Sequence, residues 1–202
     1  MNKFDYIIRS ETTKDYYEVE NLAREAFWNL SVPGCHEHYF IHVMRNHQDF
    51  VPELDFVIEI NGKIIASIMY TKAILIDENH TKKPILTMGP ICVRPDYQRK
   101  GYGKLLLEYT FEKALKLGYD TIINFGNPDN YIARGYKSCK KYNVCLEGDA
   151  FPTALLVKAL KDDAFDGRKW FYYPSEVENL CDDTEAVAEF DRLFPPKQKK
   201  WQ

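Results

Sequence analysis

Six consecutive residues, Gln98-Arg99-Lys100-Gly101-Tyr102-Gly103, put two glycines and two cations where a strand-like run ending at Val93 gives way to a helical one. A helix that opens here leaves its first backbone N–H groups without partners and sets the positive end of its dipole at the same place. A phosphate is a natural occupant of such a site. Gly101 and Gly103 carry no Cβ to hold a bulky anion away from those donors. The dipole is worth about 0.3–1 kcal/mol per charge at an exposed site, against roughly 1.5–3 for each hydrogen bond to a charged group. Backbone donors should therefore carry the binding more than the side chains of Arg99 and Lys100. The pattern is not a P-loop, because no Gly-Lys-Ser/Thr follows, and it has too few glycines for a dinucleotide fingerprint. Taken alone, a helix-opening turn with solvated cations explains it equally well.

Context on both sides adds meaning. Gly126 to Tyr136, GNPDNYIARGY, forms a second motif after a further strand-like run, Tyr119 to Phe125. The two motifs resemble the GNAT superfamily of N-acetyltransferases: Gln98 to Gly103 fit its Gln/Arg-x-x-Gly-x-Gly/Ala signature, and Tyr131 to Tyr136 look like its Tyr-x-x-x-Gly-aromatic segment. The likeness runs over roughly residues 4 to 160. It implies acetyl-CoA as co-substrate, with no metal. Gln98, Arg99, Lys100, Gly101, Tyr102, Gly103 and Lys104 would hold the pyrophosphate. Ile91, Cys92 and Val93 would offer backbone groups to the pantetheine and one N–H to the thioester carbonyl, and Asn127 would bond the pantetheine amides. Tyr131 would give a proton to the leaving thiolate. Arg134 departs from the pattern, standing where many relatives carry an apolar residue.

Acetyl transfer to an amine makes separate demands on these residues. A phenol near pKa 10 protonates a thiolate near 8.5 uphill by about 2 kcal/mol, which a well-placed Tyr131 can tolerate. An alkylammonium near 10.4 is neutral in about one molecule in a thousand at pH 7, a cost of roughly 4.6 kcal/mol, so a base or water relay helps. Base candidates are Glu25, the run His36-Glu37-His38, and Glu59, with the histidine run reading more simply as a solvated helix start. Cys92 reads as a buried strand cysteine rather than a nucleophile.

The 202 residues suffice for one domain with an appendage, here a transferase domain over 1–160 and a C-terminal extension over 161–202 packed on it. A net charge of −3 with intermixed signs gives no basic stripe for nucleic acid. Five cysteines without C-x-x-C or zinc spacing point to a reduced, cytoplasmic setting, and no run approaches the roughly 20 apolar residues that span a bilayer. The partner is then a small-molecule or peptide amine. The aromatic run Trp170 to Tyr173 and an acidic helix over 182–194 offer an acceptor wall or a homodimer face.

The positioning elements follow from periodicity. Strands are expected over 4–9, 55–60, 64–76 and 85–93, with Asn61-Gly62 as a hairpin turn and a bulge or broken pairing near Pro90 in the last. Helices are expected over 14–28, capped from Ser10 to Thr13 and facing inward through Tyr17, Leu22, Ala26 and Trp28, and over 36–46, 103–117 and 128–133. Closing strands are expected over 143–147 and 154–160. The fold class is thus α/β in layers: a mixed, mostly antiparallel sheet flanked by helices. In the family, a parallel strand pair splays from it to form the CoA cleft. A non-catalytic acyl-CoA sensor with the same fold is the alternative reading.

Overall fold

The computed structural model describes residues 6–200. Among them, nine strands form one mixed sheet ordered β1 (Tyr6–Ser10), β2 (Phe56–Ile60), β3 (Lys63–Asp77), β4 (Lys82–Val93), β5 (Thr121–Phe125), β8 (Leu155–Ala159), β6 (Lys137–Ser138). Off this path, β9 (Trp170–Tyr173) pairs with β3 and with β7 (Val144–Cys145). The chain folds as two units. One holds the chain up to Met69, Pro90–Glu108 and the chain from Glu176 onward; the other holds Tyr70–Gly89 and Tyr109–Ser175. β3, β4 and helix α3 (Tyr102–Lys116) each run from one unit into the other.

In the first unit, β1 lies antiparallel to β2 from Tyr6↔Ile60 to Ser10↔Phe56; Phe4 and Asp5 of the expected strand lie outside the described residues. Asn61 and Gly62 have φ of 51° and 75°, the double positive φ of a type I′ hairpin, and deliver β3 antiparallel to β2. Helices α1 (Tyr16–Phe27) and α2 (Glu37–Met44) pack on this side. The expected inward stripe of α1 holds at Leu22 and Ala26 and fails at Tyr17. Val19, Leu22 and Ala23 are the buried positions, packed with Ile41, Met44, Val57, Met69 and Cys92, while Tyr17 is 55% exposed and stacks on Phe194 at 5.1 Å. Placing the stripe three and four residues apart from Val19 leaves Tyr17 at its rim. Capping by Ser10–Thr13 also fails. Thr12 instead donates its N–H and hydroxyl to the Asp15 carboxylate, which Arg9 clamps, and α1 has no side-chain cap. Helix α5 (Thr184–Asp191) does have one, because the Asp183 side chain accepts from the N–H groups of Glu185 and Ala186.

In the second unit, β4 and β5 run parallel through Leu86↔Ile122 and Thr87↔Ile123. Their ladder ends there, immediately before Gly89, whose φ of 144° suits only glycine. β4 itself continues as a strand through Pro90, so the expected break appears in its pairing with β5 rather than in the strand. β5 pairs antiparallel with β8 over five residues, Thr121↔Ala159 to Phe125↔Leu155. The strand expected over 143–147 shrinks to Val144–Cys145, since Asn143 (φ 54°) and Gly148 (φ 73°) turn the chain left-handed on either side. It closes nothing, pairing parallel with β9 instead. The aromatic run is itself a strand, with Trp170 and Tyr172 buried in the core beside Leu75, Ile85 and Ile123. Gly118 (φ 93°) stops α3, and α4 (Pro128–Tyr131) continues as a 3-10 turn to Arg134 before Gly135 (φ 86°) ends it.

Candidate active site

The first unit carries the turn from Gln98 to Gly103. After Val93 the backbone N–H of Arg94 donates to Ile65 at 2.8 Å, fixing the end of β4, and a 3-10 turn over Pro95–Tyr97 reverses the chain. Gln98 Nε2 donates to the Val93 carbonyl at 3.1 Å and staples the turn to the strand. Arg99 and Gly101 then both adopt left-handed φ, 58° and 94°. The first i→i−4 bond of α3 runs from Leu105 to Gly101 at 3.0 Å, so the N–H groups of Tyr102, Gly103 and Lys104 open toward the turn without helical acceptors.

The side chains divide the work differently from the sequence expectation. Tyr102 is 7% exposed and packs edge-on against Tyr6 and near Tyr97, so it anchors the turn in the core and can meet an anion only through its backbone. Lys100 bends back, its Nζ donating to the Asp96 carbonyl at 2.7 Å beside the Tyr97 ring. Lys104 pairs loosely with Glu108 on the exposed face of α3 at 3.5 Å, a contact worth little. Arg99 is exposed. Gly101 has open space around its absent Cβ, so its glycine answers to backbone conformation; a Cβ on Gly103 would touch Val93 and Ile91 at 3.7 and 3.9 Å, ordinary contact distances. Ile91 and Val93 are half-buried. Cys92 is buried with its Sγ 3.1 Å from the Ser67 hydroxyl, and burial pushes its thiol up to about 12, which suits a core residue and not a nucleophile.

The second unit carries Tyr131. Its ring lies on the backbone of Gly126, where a Cβ would come within 2.6 Å of Tyr131 Cε2, and meets Tyr136 edge-on at 5.5 Å. Burial raises the Tyr131 phenol above its ordinary value, with Arg134 and the Asn124 side chain pulling the other way. Asn124, on β5, is 1% exposed, and its Oδ1 has no hydrogen-bond partner; nor does the hydroxyl of buried Tyr136. Asn127 sits at the N-cap of α4, its side chain accepting from the Asp129 N–H at 3.0 Å. A polar residue in the apolar strand TIINF was the available signal for Asn124, and the reading above passed over it.

The base candidates scatter. Glu25 pairs with Lys197 at 2.9 Å and Glu59 with Arg9 at 2.8 Å. His38 does not face solvent: it is fully buried, and burial drives it down to about 4, so it rests neutral. Among the described residues no group of three or more His, Cys, Asp or Glu is placed to hold a metal ion, and no helix is long and apolar enough to cross a membrane.

A strand, a glycine turn and a helix N-terminus thus lie within a mixed, mostly antiparallel sheet whose β4–β5 and β7–β9 pairs are parallel. Residues 16–137 match the Acetyltransferase (GNAT) family, and the chain belongs to it. Its fold is similar to that of a GNAT family N-acetyltransferase from Escherichia coli solved with CoA, at TM-score 0.76 and 20% identity over 89% of this chain and 94% of that one. It is also similar to a GNAT family acetyltransferase from Brucella melitensis solved with acetyl-CoA (TM-score 0.68, 17% identity, 87% and 99% covered). The ribosomal-protein-S18-alanine N-acetyltransferase from Escherichia coli is more distant, at TM-score 0.53, 19% identity and 80% and 99% coverage. Comparison with proteins of curated function returned no match.

Proposed function

We propose that the protein transfers the acetyl group of acetyl-CoA to a primary amine, by direct attack of the amine on the thioester in a ternary complex. The observation that carries this reading is the turn at Arg99–Gly101, whose left-handed residues precede three helix N–H groups that have no acceptor within α3. That is a diphosphate cradle built from backbone. Neighbours in the same fold were solved with CoA and acetyl-CoA, which supports the same ligand here. Backbone groups of Ile91, Cys92 and Val93 take the pantetheine, and Gln98 holds the turn rigid by its bond to Val93.

In the transfer, the amine nitrogen bonds to the thioester carbon and the carbon–sulfur bond breaks. The thiolate that leaves takes the Tyr131 proton, and the proton that the amine nitrogen sheds passes to water, which returns one to the phenolate. Burial makes that phenol a weaker acid than usual, so it stays protonated until the thiolate forms. Asn127, capping α4, fixes the start of the helix that carries Tyr131. The acceptor class is an amine of a small molecule or peptide. Incubation with acetyl-CoA and a panel of amines, read by thiol release, tests the assignment. Turnover with at least one amine is expected; coenzyme A binding without turnover would favour a sensor.

A further inference from the structure

Outside that site, four side chains from three segments of the first unit meet in its interior. Cys35 Sγ lies 3.3 Å from His38 Nδ1, and His38 Nε2 lies 3.3 Å from Asp191 Oδ1. Cys35 is 7% exposed and His38 fully buried under the rings of Phe190 and Phe194. At this spacing the Nε2 group is close to the carboxylate but not aligned on it, and it has no hydrogen bond. Asp191 Oδ1 is engaged by Arg24 Nε at 2.6 Å. The arrangement is a thiol, an imidazole and a carboxylate in series, the order in which a base takes a proton from sulfur and is held by an acid behind it.

A strap covers the loop that carries this thiol. Gly34, next to Cys35, adopts φ of 85°, and the Lys199 side chain lies over it, 3.1 Å from where a Cβ would stand. The Gln198 carbonyl accepts from Trp28 Nε1 at 3.0 Å and from Asn29 Nδ2 at 3.2 Å; Lys200 N–H donates to Asn29 Oδ1 at 3.1 Å; Lys197 pairs with Glu25 at 2.9 Å. Those hydrogen bonds are at exposed positions and the Lys197–Glu25 pair is part-exposed, so the strap is held by contacts water can replace.

We propose that Cys35 is a gated modification site: its thiol reacts with soft carbon electrophiles, the class that includes acyl thioesters, when the strap over residues 28–35 lifts, with His38 as base and Asp191 behind it. In the step, the Cys35 Sγ–H proton passes to His38 Nδ1 and sulfur bonds to the electrophilic carbon. The bond to the leaving group breaks with its electron pair, and nothing is oxidised or reduced. The docked state is quiet for a physical reason. Burial is the leading cause that pushes the thiol up and the imidazole down, so both rest neutral. The charged groups that face them are Arg24 from α1, Glu37 and His36 from the start of α2, Asp191 from α5 and Lys199 from the strap. Lys199 disfavours the imidazolium, so removing the strap assists proton transfer twice, by hydration and by loss of that charge.

Iodoacetamide labelling of the full chain at pH 7.5, with peptide mass mapping to read each cysteine, tests this. Here the S–C bond forms and iodide leaves. In Lys197→Glu/Lys199→Ala, which frees the strap and leaves Asn29 to hold the Gly34 N–H of the loop itself, Cys35 should label at least tenfold faster than in the wild type. Adding His38→Gln to that chain should slow it about tenfold and flatten its pH dependence. Equal Cys35 rates in wild type and loosened chain, or a loosened chain indifferent to His38→Gln, would overturn the proposal. Cys139 and Cys145, buried in the other unit, report unfolding. Should they label as in urea, the single Lys197→Glu chain supplies the reading instead. The assay contains no coenzyme A, so its outcome is independent of the acetyl-transfer assignment.

Discussion

At the scale of single residues, the account turns on what two glycines and one tyrosine do. Gly101 is needed for its φ of 94°, whereas Gly103 sits in an ordinary helical position with room for a methyl group. Gly101→Ala should weaken acetyl-CoA binding about tenfold by straining the turn. Gly103→Ala should fold with unchanged thermal stability, and any loss of affinity it shows reports contact with the ligand itself. Titration of both variants alongside thermal melts separates these effects. Tyr131→Phe should lower kcat by about 10²-fold while leaving acetyl-CoA affinity within about twofold. Because the phenol is raised, it remains protonated through its ordinary value near 10, so the wild-type rate should not fall on the alkaline side until above that pH. A descending limb centred near pH 8 would assign the acid elsewhere.

At the scale of elements, Gly126 is the close approach that seats Tyr131. Gly126→Ala drives a methyl carbon to within 2.6 Å of the ring, so the ring must move, at a cost of about 1–3 kcal/mol and with kcat reduced as in Tyr131→Phe. Steady-state kinetics with a thermal melt checks both halves of that expectation. The elements themselves were largely legible. The hairpin turn, α3, its Gly118 stop and the β4–β5 change of pairing each have a local chemical cause written within a few residues. What was illegible is non-local. Arg24 and Asp191 are 167 residues apart, and nothing near His38 announces that α5 will bury it. The α1 face was misread because Tyr17 stands where an inward position was expected and packs on Phe194 instead, a residue from the far end of the chain. Of the candidate site, the left-handed turn at Gly101 and the helix that opens after it were legible from glycine spacing. The folding back of Lys100 and the burial of Asn124 depend on neighbours that the spacing does not name.

For the molecule as a whole, two buried titrating groups in the first unit pull stability in opposite directions as pH changes. His38 is held at about 4, below its ordinary value near 6.5. Its contribution is present above about 6.5 and is lost as pH falls toward 4. The Asp55 carboxyl is raised well above the usual carboxylate range, chiefly by burial and then by the nearby Glu11. That contribution is present in acid, below about 3.9, and is lost as pH rises above it. The two losses overlap between about 4 and 6.5, where they oppose each other, so the wild type should lose stability most clearly as pH rises above about 6.5. Asp55→Asn, which mimics the protonated form, should shift the melting temperature at pH 8 upward by several degrees relative to the wild type while leaving pH 5 little changed. His38→Gln should flatten the acid limb. Thermal melts from pH 4 to 9 decide both. The central claim is that the backbone between Gly101 and Lys104 grips the diphosphate of coenzyme A. Isothermal calorimetry of the full chain with acetyl-CoA tests it most directly. The account predicts saturable binding with a dissociation constant in the micromolar range, about −8 kcal/mol, weakened by Gly101→Ala. No heat of binding at millimolar acetyl-CoA, or an affinity that Gly101→Ala leaves untouched, would contradict it.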